Sequence, residues 1–379
     1  MRKTLTTLAL TVVILLSLGI VLLATASAVR AQGLYADPHY FVKRQLLWLA
    51  LSAVLVFAVS WFDYHWWKET PILSIGVYVL VVIALLLVFC PGIGGKVKGS
   101  YRWLHLGPLR MQPSEFAKIL TVIAMGVWMD RIGWRVRQFW KGAAFPVAGL
   151  ALLVGLLVME PDFGATCVVA VIGGLMMFVT GSRLWHLATL GLTGASVVGA
   201  FVFSNANRMK RIIEWWHGEG SAAYQLQQAI LAFKNGGPWG VGFNQSIRKY
   251  NYLPEAHTDF IFAIGGEEFG FTFSIAVVLA YAVLLACGIL ISLRAPDRLG
   301  RLLAFGMTLL LVLQAAINIG VVTGCLPTKG LALPFISYGG TNLISALFAV
   351  GTMMNVGRHI DVFDERMHTQ VVRNAAKHV

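Results

Sequence analysis

The chain predicts an all-α polytopic membrane protein with about ten transmembrane helices, built as a single domain over residues 1–379. Three observations carry that prediction. Hydrophobic residues make up 58% of the sequence and charged residues 12%, against roughly 25% charged in an average soluble domain. Mean hydropathy is +0.73. Apolar runs recur at 8–28, 45–62, 72–90, 115–130, 143–160, 164–181, 184–203, 268–293, 301–323 and 337–357. A spanning helix needs about 20 such residues.

The first run follows MRKTLT and ends in small residues, as a signal peptide does. Its apolar stretch is long enough to cross a bilayer, so it reads as a retained first helix. The fourth and fifth runs have the weakest boundaries. Orientation follows from Lys and Arg. With the N-terminus inside, the inner segments hold Arg131, Arg135, Arg137, Lys141, Arg183, Arg294, Arg298 and Arg301 among others, more than the short outer loops hold. The positive-inside rule then places both termini, and a short tail over about 358–379, in the cytoplasm. The long 204–267 segment between the seventh and eighth helices is extracytoplasmic on this reading. It is rich in glycine, and its apolar pieces are too short to span. Irregular backbone at membrane depth is tolerated only against protein or water. The segment is therefore expected to form short surface or re-entrant helices that line a cavity.

The net charge of +13 fits topology and headgroup contact. No soluble basic domain exists to bind nucleic acid, which excludes that partner. The inner segment DRIGWRVRQFWKG reads as an interfacial anchor. Cys90, Cys167, Cys287 and Cys325 have no metal-type spacing and read as small packing residues.

Four outer segments concentrate polar groups and turn residues: GSYRWLHLGPLRMQPSEFAK from Gly99, EPDFGA from Glu160, the long segment ending in YLPEAHTDF, and LPTKGLALPFISYGGT from Leu326. Ionisable groups at a bilayer edge are costly, so their default reading is a functional site. The segments are expected to converge on one outward-facing site that holds Asp259, Glu115, Asp162, Arg102, Lys249 and Lys329.

These motifs, with the pair Tyr224–Gln225 and the stretch YLPEAHTDFIFAIGGEEFG, occur in an order and at intervals that resemble the SEDS family (shape, elongation, division and sporulation). LPEAHTDF and LPTKGLALPFISYGGT are more similar to its division branch than to its elongation branch. The resemblance covers about residues 5–360. It implies a peptidoglycan glycosyltransferase that polymerises lipid II, a disaccharide-pentapeptide on undecaprenyl pyrophosphate, at the outer face of the cytoplasmic membrane during septal wall synthesis. It implies a class B penicillin-binding protein transpeptidase and other divisome membrane proteins as partners. The family's key aspartate corresponds to Asp259 in HTDF. Three positions depart from the family pattern: Glu160 stands where Gln is common, Ala165 where Thr is usual and Gly265 where Ile is usual.

The residue types suit that chemistry. The sugar is α-linked to pyrophosphate and the polymer is β-linked, so one inverting displacement suffices. A sugar hydroxyl is a weak nucleophile, and a positioned carboxylate base is typically worth ~100- to 10,000-fold. Asp259 is the candidate base; the competing reading is an N-cap for the apolar IFAIGG that follows. Charge grows on the departing pyrophosphate, and fixed cations lower that barrier. Arg102, Lys249 and Lys329 are the favoured cations, with Arg208 and Arg211, spaced for one helical face, as an anion site or an interfacial anchor. Glu115 reads as first-turn helix chemistry, within i, i+3 reach of Lys118. Glu255 and His257 are expected to shape the Asp259 loop. Glu267 and Glu268 are expected to open the eighth helix. Ser337, Gly339 and Gly340 either present backbone N–H groups to a phosphate or sugar, or permit close helix packing.

No metal ligand is assigned. A divalent cation, Mg²⁺ or Mn²⁺, between Glu160 and Asp162 is the one cofactor considered, and no known metal spacing supports it. Two other functions are weighed: a lipid II flippase, which should carry charges deep within spans and show repeat symmetry, and a non-catalytic scaffold for a transpeptidase.

Overall fold

The computed structural model describes residues 1–97, 100–107, 109–203, 209, 213–214, 216–217, 220–250, 252–327 and 330–375. All ten apolar runs are helical. The long helices are α1 (Arg2–Tyr35), α2 (Tyr40–Trp61), α4 (Pro71–Leu87), α5 (Pro113–Ile132), α6 (Phe145–Met159), α7 (Phe163–Val179), α8 (Leu184–Phe203), α10 (Ile261–Arg294), α11 (Arg298–Val322) and α12 (Gly340–Ala375). A one-turn helix α3 (Trp66–Glu69) joins α2 to α4, and α9 (Gly220–Gly236) lies within the long 204–267 segment. Among the described residues, six helices are long and apolar enough to cross a membrane, and 74–87 and 163–179 are shorter apolar helices.

Burial runs opposite to that of a soluble globule. Leu47, Leu51, Val54, Phe57 and Trp61 of α2 and Phe271, Ile275, Val278 and Leu279 of α10 are exposed. A monomeric soluble protein rarely exposes so much contiguous apolar surface; hydrocarbon is its natural solvent. Within the bundle, α12 lies along α2, and α11 packs against both α10 and α12. A second, smaller core made by α4 to α7 centres on Leu85, Leu120, Leu157 and Val169.

The fold is predominantly helical, as the sequence predicts, with one addition and one correction. β1 (Gly94–Val97), β2 (Ser100–Leu106) and β3 (Leu109–Met111) form a small antiparallel sheet in the order β1-β2-β3. The alternation Tyr101, Trp103, His105 against Arg102, Leu104, Leu106 is the period of a strand, and it was outweighed by the apolar helices on either side. Glu267 and Glu268 do not open a helix. They lie two turns inside α10, and both are buried. Ser246 Oγ donates to Glu267 at 2.5 Å, and the Arg248 N–H donates at 3.3 Å. These carboxylates hold the 237–250 loop.

That loop compensates a break in α10. Gly270 has φ 76° and ψ −167°, outside helical geometry. The N–H groups of Val241 and Gly242 donate to the carbonyls of Glu267 and Glu268, and Phe271 N–H donates to Gly237 O at 2.9 Å. Backbone groups freed by the kink thus find partners, as buried ones must. A Cβ at Gly270 would strike the backbone of Gly240 and Pro238.

Candidate active site

A cavity of about 740 Å³ lies at one end of the bundle. The N-terminal ends of α2, α5, α7 and α12, the C-terminal end of α1, the sheet, and the loops 255–260 and 330–332 supply its wall. It gathers nine of the residues singled out in the sequence: Arg102, Glu115, Lys118, Asp162, Glu255, His257, Asp259, Gly339 and Gly340.

The Asp259 loop is clamped through three consecutive carbonyls. Tyr338 N–H donates to His257 O at 3.1 Å, Ser337 Oγ donates to Thr258 O at 2.7 Å, and Asn318 Nδ2 donates to Asp259 O at 2.8 Å. Asn318 also donates to Leu331 O at 2.6 Å. A single side chain on α11 therefore ties the aspartate's backbone to the neighbouring loop. Asp259 is half-buried, and its carboxylate faces Gly330, where a Cβ would crowd Oδ2. The capping alternative does not hold, because the cap of α10 is Phe260, with no side-chain cap bond. Glu255 turns the chain with φ 59°. Its carboxylate pairs with Arg30 at 3.1 Å and accepts from Thr258 Oγ1 at 3.2 Å. His257 is buried, with its ring 4.8 Å from that of Phe41.

Opposite charges meet at the base of the cavity. Lys118 is fully buried; its Nζ lies 2.8 Å from Glu115 Oε1 and 2.6 Å from Gln314 Oε1. Gln314 in turn donates to Asn342 Oδ1 at 2.7 Å and to Ala332 O at 2.9 Å. Glu115 Oε2 and Asn342 Nδ2 have no partner among the described residues. Both residues line the cavity, and these two shielded atoms are an exception to the rule that buried polar groups are satisfied.

Asp162 caps α7, accepting from Ala165 N–H at 3.3 Å, and its other oxygen accepts from Ser114 Oγ at 2.9 Å and Gln112 Nε2 at 3.0 Å. Among the described residues Arg102 pairs with no carboxylate. It donates to Glu160 O at 3.3 Å and to Pro161 O, which fixes β2 over the α6–α7 turn. Glu160 is fully buried, and neither carboxylate oxygen has a partner among the described residues. Burial, and the neighbouring Asp162 charge after it, push its pKa up to about 9; Arg102 opposes them weakly.

The structure separates other residues from the cavity. Lys249 is buried elsewhere, bonded to Asn244 and 3.3 Å from Glu268 Oε1. An ammonium spent on a buried partner at the base of the 237–250 loop cannot serve a ligand in the cavity. Ser337 sits behind the wall as part of the clamp. Gly340 packs against the Trp48 ring, and Gly339 N–H donates to Gln45 Oε1 at 3.3 Å. Close packing therefore accounts for Gly340, while the Gly339 N–H is taken by Gln45. Arg208, Arg211 and Lys329 lie outside the described residues. Arg44 and Arg110, exposed at the cavity, were not anticipated. Arg110 lies in a segment already marked as functional, whereas Arg44 is indistinguishable in sequence from a headgroup anchor. Gln314 and Asn318 had a usable signal: two polar side chains at i, i+4 inside an apolar run. None of the four cysteines forms a disulfide.

A helical bundle with an apolar exterior and a charged chamber at one end defines an integral membrane protein with a polar site. The chain belongs to the FtsW/RodA/SpoVE family of cell cycle proteins, whose profile matches residues 6–361. It is 39% identical over 352 residues to a probable peptidoglycan glycosyltransferase FtsW of Trichlorobacter lovleyi, covering 92% of this chain and 91% of that one. It is 37% identical over 350 residues to the stage V sporulation protein E of Bacillus subtilis, covering 91% and 94%. Among solved structures it is similar to a chain from a study of polymerization and crosslinking by a peptidoglycan synthase complex. The TM-score there is 0.76 at 27% identity, covering 93% of this chain and 97% of that one. The rod shape determining protein RodA of Thermus thermophilus matches with a TM-score of 0.69 at 27% identity, covering 93% and 95%.

Proposed function

We propose that this chain is a peptidoglycan glycosyltransferase that polymerises lipid II, with Asp259 as the general base. One observation carries the reading. In a member of this family, the HTDF carboxylate stands in the wall of a cavity that also presents Arg44, Arg102 and Arg110. A base for the attacking hydroxyl and cations for the departing pyrophosphate thus share one chamber.

Asp259 takes the proton of the N-acetylglucosamine 4-hydroxyl as its oxygen attacks the anomeric carbon of N-acetylmuramic acid from the face opposite the pyrophosphate. The configuration inverts from α to β in one step. The arginines meet the charge that develops on the pyrophosphate oxygens, with guanidinium geometry suited to phosphate. The bonds to the carbonyls of 257, 258 and 259 fix the loop, so little reorganisation is needed at the moment of reaction. Asp162 spends its oxygens on a cap and two side chains, and we assign no metal ligand. Mg²⁺ or Mn²⁺ would act as a counter-ion brought with the pyrophosphate.

All ten long helices cross the cytoplasmic membrane on this reading, with cytoplasmic termini and the cavity at the outer leaflet. Septal synthesis with a class B penicillin-binding protein is the cellular setting. The relative with a TM-score of 0.76, from a study of polymerization and crosslinking by one complex, supports such a partner.

The test uses purified protein and fluorescent lipid II, alone and with its transpeptidase. Glycan strands should form, and Asp259→Asn protein with unchanged elution and melting should make none. Strands made at full rate by that variant would remove Asp259 from the mechanism.

A further inference from the structure

A second chemical cluster lies at the other end of the bundle. Tyr40 and Arg44, near the start of α2, line the cavity, whereas Asp63 and His65 follow the end of that helix. At ~1.5 Å per residue, α2 separates them by about 30 Å. Likewise Gly340 lines the cavity and His359 lies five turns further along α12. One ligand atom from each of Asp63, His65 and His359 lies within 4.8 Å of the others.

The hydrogen bonds around these rings leave the right atoms over. His359 Nδ1 is 3.0 Å from Asn355 O. A carbonyl only accepts, so Nδ1 carries the hydrogen. In the neutral ring, Nε2 is then a lone pair, and it faces Asp63 Oδ1 at 3.5 Å. For His65, Nδ1 lies 2.6 Å from Asp63 Oδ1 and Nε2 faces Asp297 Oδ1 at 3.7 Å, so the tautomer with its hydrogen on Nε2, toward Asp297, turns the Nδ1 lone pair toward Asp63. Asp297 is itself held by Tyr64 OH and by the Gly300 N–H at 3.1 Å. In these neutral tautomers two imidazole lone pairs point at Asp63 Oδ1, acceptor against acceptor, a conflict that either a ring proton or a cation bound between them resolves. A ring that donates one N–H to a carbonyl or carboxylate and presents its other nitrogen is how protein metal ligands are oriented. Ligands bound at about 2.0–2.1 Å in a tetrahedral zinc site stand roughly 3.3 Å apart, close to the 3.5 Å between His359 and Asp63.

We infer that Asp63, His65 and His359 form a binding site for a divalent transition metal of the Zn²⁺ class, with Asp297 beside it. The metal ties the α2–α3 turn to α12. The two elements already meet there, since Asn355 Nδ2 donates to Val59 O at 2.8 Å and Arg358 NH1 to Ser60 O at 3.3 Å. Imidazole with carboxylate favours such ions over Mg²⁺ or Ca²⁺, which prefer all-oxygen sites. The site lies apart from the cavity and does not depend on the reaction proposed there.

The experiment uses the full chain in detergent, purified through a tag free of histidine and stripped with chelator. Zn²⁺ is titrated against a chromophoric chelator, and Co²⁺ is added separately for its visible absorption. The expected result is one Zn²⁺ per chain, a higher melting temperature with Zn²⁺, and a tetrahedral Co²⁺ spectrum. His65→Gln with His359→Gln should lose at least ~100-fold in Zn²⁺ affinity and the Co²⁺ bands, while Asp259→Asn keeps both. Zn²⁺ binding of equal strength in the double variant, or no bound equivalent in the parent chain, overturns the site. If the double variant does not fold, the Co²⁺ spectrum of the parent decides: octahedral absorption or none overturns it.

Discussion

Replacing Glu160 by Gln should stabilise the protein, by an amount that grows with pH. Glu160 occupies the turn between α6 and α7, fully buried, with both oxygens unpartnered among the described residues. The nearby guanidinium of Arg102 donates to the carbonyls of residues 160 and 161 and not to this carboxylate. Burial, and the Asp162 charge after it, push the Glu160 pKa up to about 9 in the folded protein, against an ordinary 4.5. The folded state holds a proton that the unfolded state releases above its own lower pKa. Stability from this group is thus fully present below about pH 4.5 and is lost progressively as pH rises toward 9. Each unit of difference is worth about 1.4 kcal/mol. At pH 7 the wild-type chain has given up about 3 kcal/mol, and at pH 9 about 6 kcal/mol. Glutamine has nearly the same shape and a similar cost of burying an unpaired polar group, without the proton. Thermal unfolding of both proteins in one detergent, from about pH 5 to pH 9, reads the difference. The melting temperatures should nearly coincide at the acid end and diverge by several degrees at the basic end. A constant offset across that range would show that the carboxylate is ionised and solvated, and the burial argument would fail.

Three further outcomes follow from the packing. Asn318→Leu strips the hydrogen bonds from Asp259 O and Leu331 O. Glycan polymerisation should fall ~10- to 100-fold through misplacement of the base, with lipid II binding little changed in a filter or fluorescence assay. Lys118→Met leaves Glu115 buried without its partner and should cost about 3–5 kcal/mol, whereas combining it with Glu115→Leu should recover most of that in thermal unfolding. Gly270→Ala puts a side chain at φ 76° against the 238–240 backbone. It should destabilise by about 1–3 kcal/mol from conformation alone, with a further loss from the clash, seen as earlier unfolding and faster proteolysis of the 237–250 loop.

The helices were legible in the amino-acid sequence because transfer into hydrocarbon is a property of a contiguous stretch. A window of about 20 residues is enough to evaluate it. The same locality made the Glu115–Lys118 pair visible, since i and i+3 adjoin on any helix. The motif residues around Asp259 were legible as polar groups where polarity is costly. The sheet was hidden because strand alternation over a few residues is a weak signal between strong helices. Lys249 was misplaced for a different reason. Its pairing with Glu268, rather than with a ligand, depends on how the 237–250 loop folds back on a helix broken at Gly270. The tertiary structure also decided which cations reach the cavity. Arg44 and Lys43 are neighbours in sequence, yet only Arg44 lines it. Coulomb and hydrogen-bond energies depend on distances of a few ångströms between groups that can be hundreds of residues apart. The sequence therefore determined the solvent and the elements, while helix packing alone set the partners of each charge.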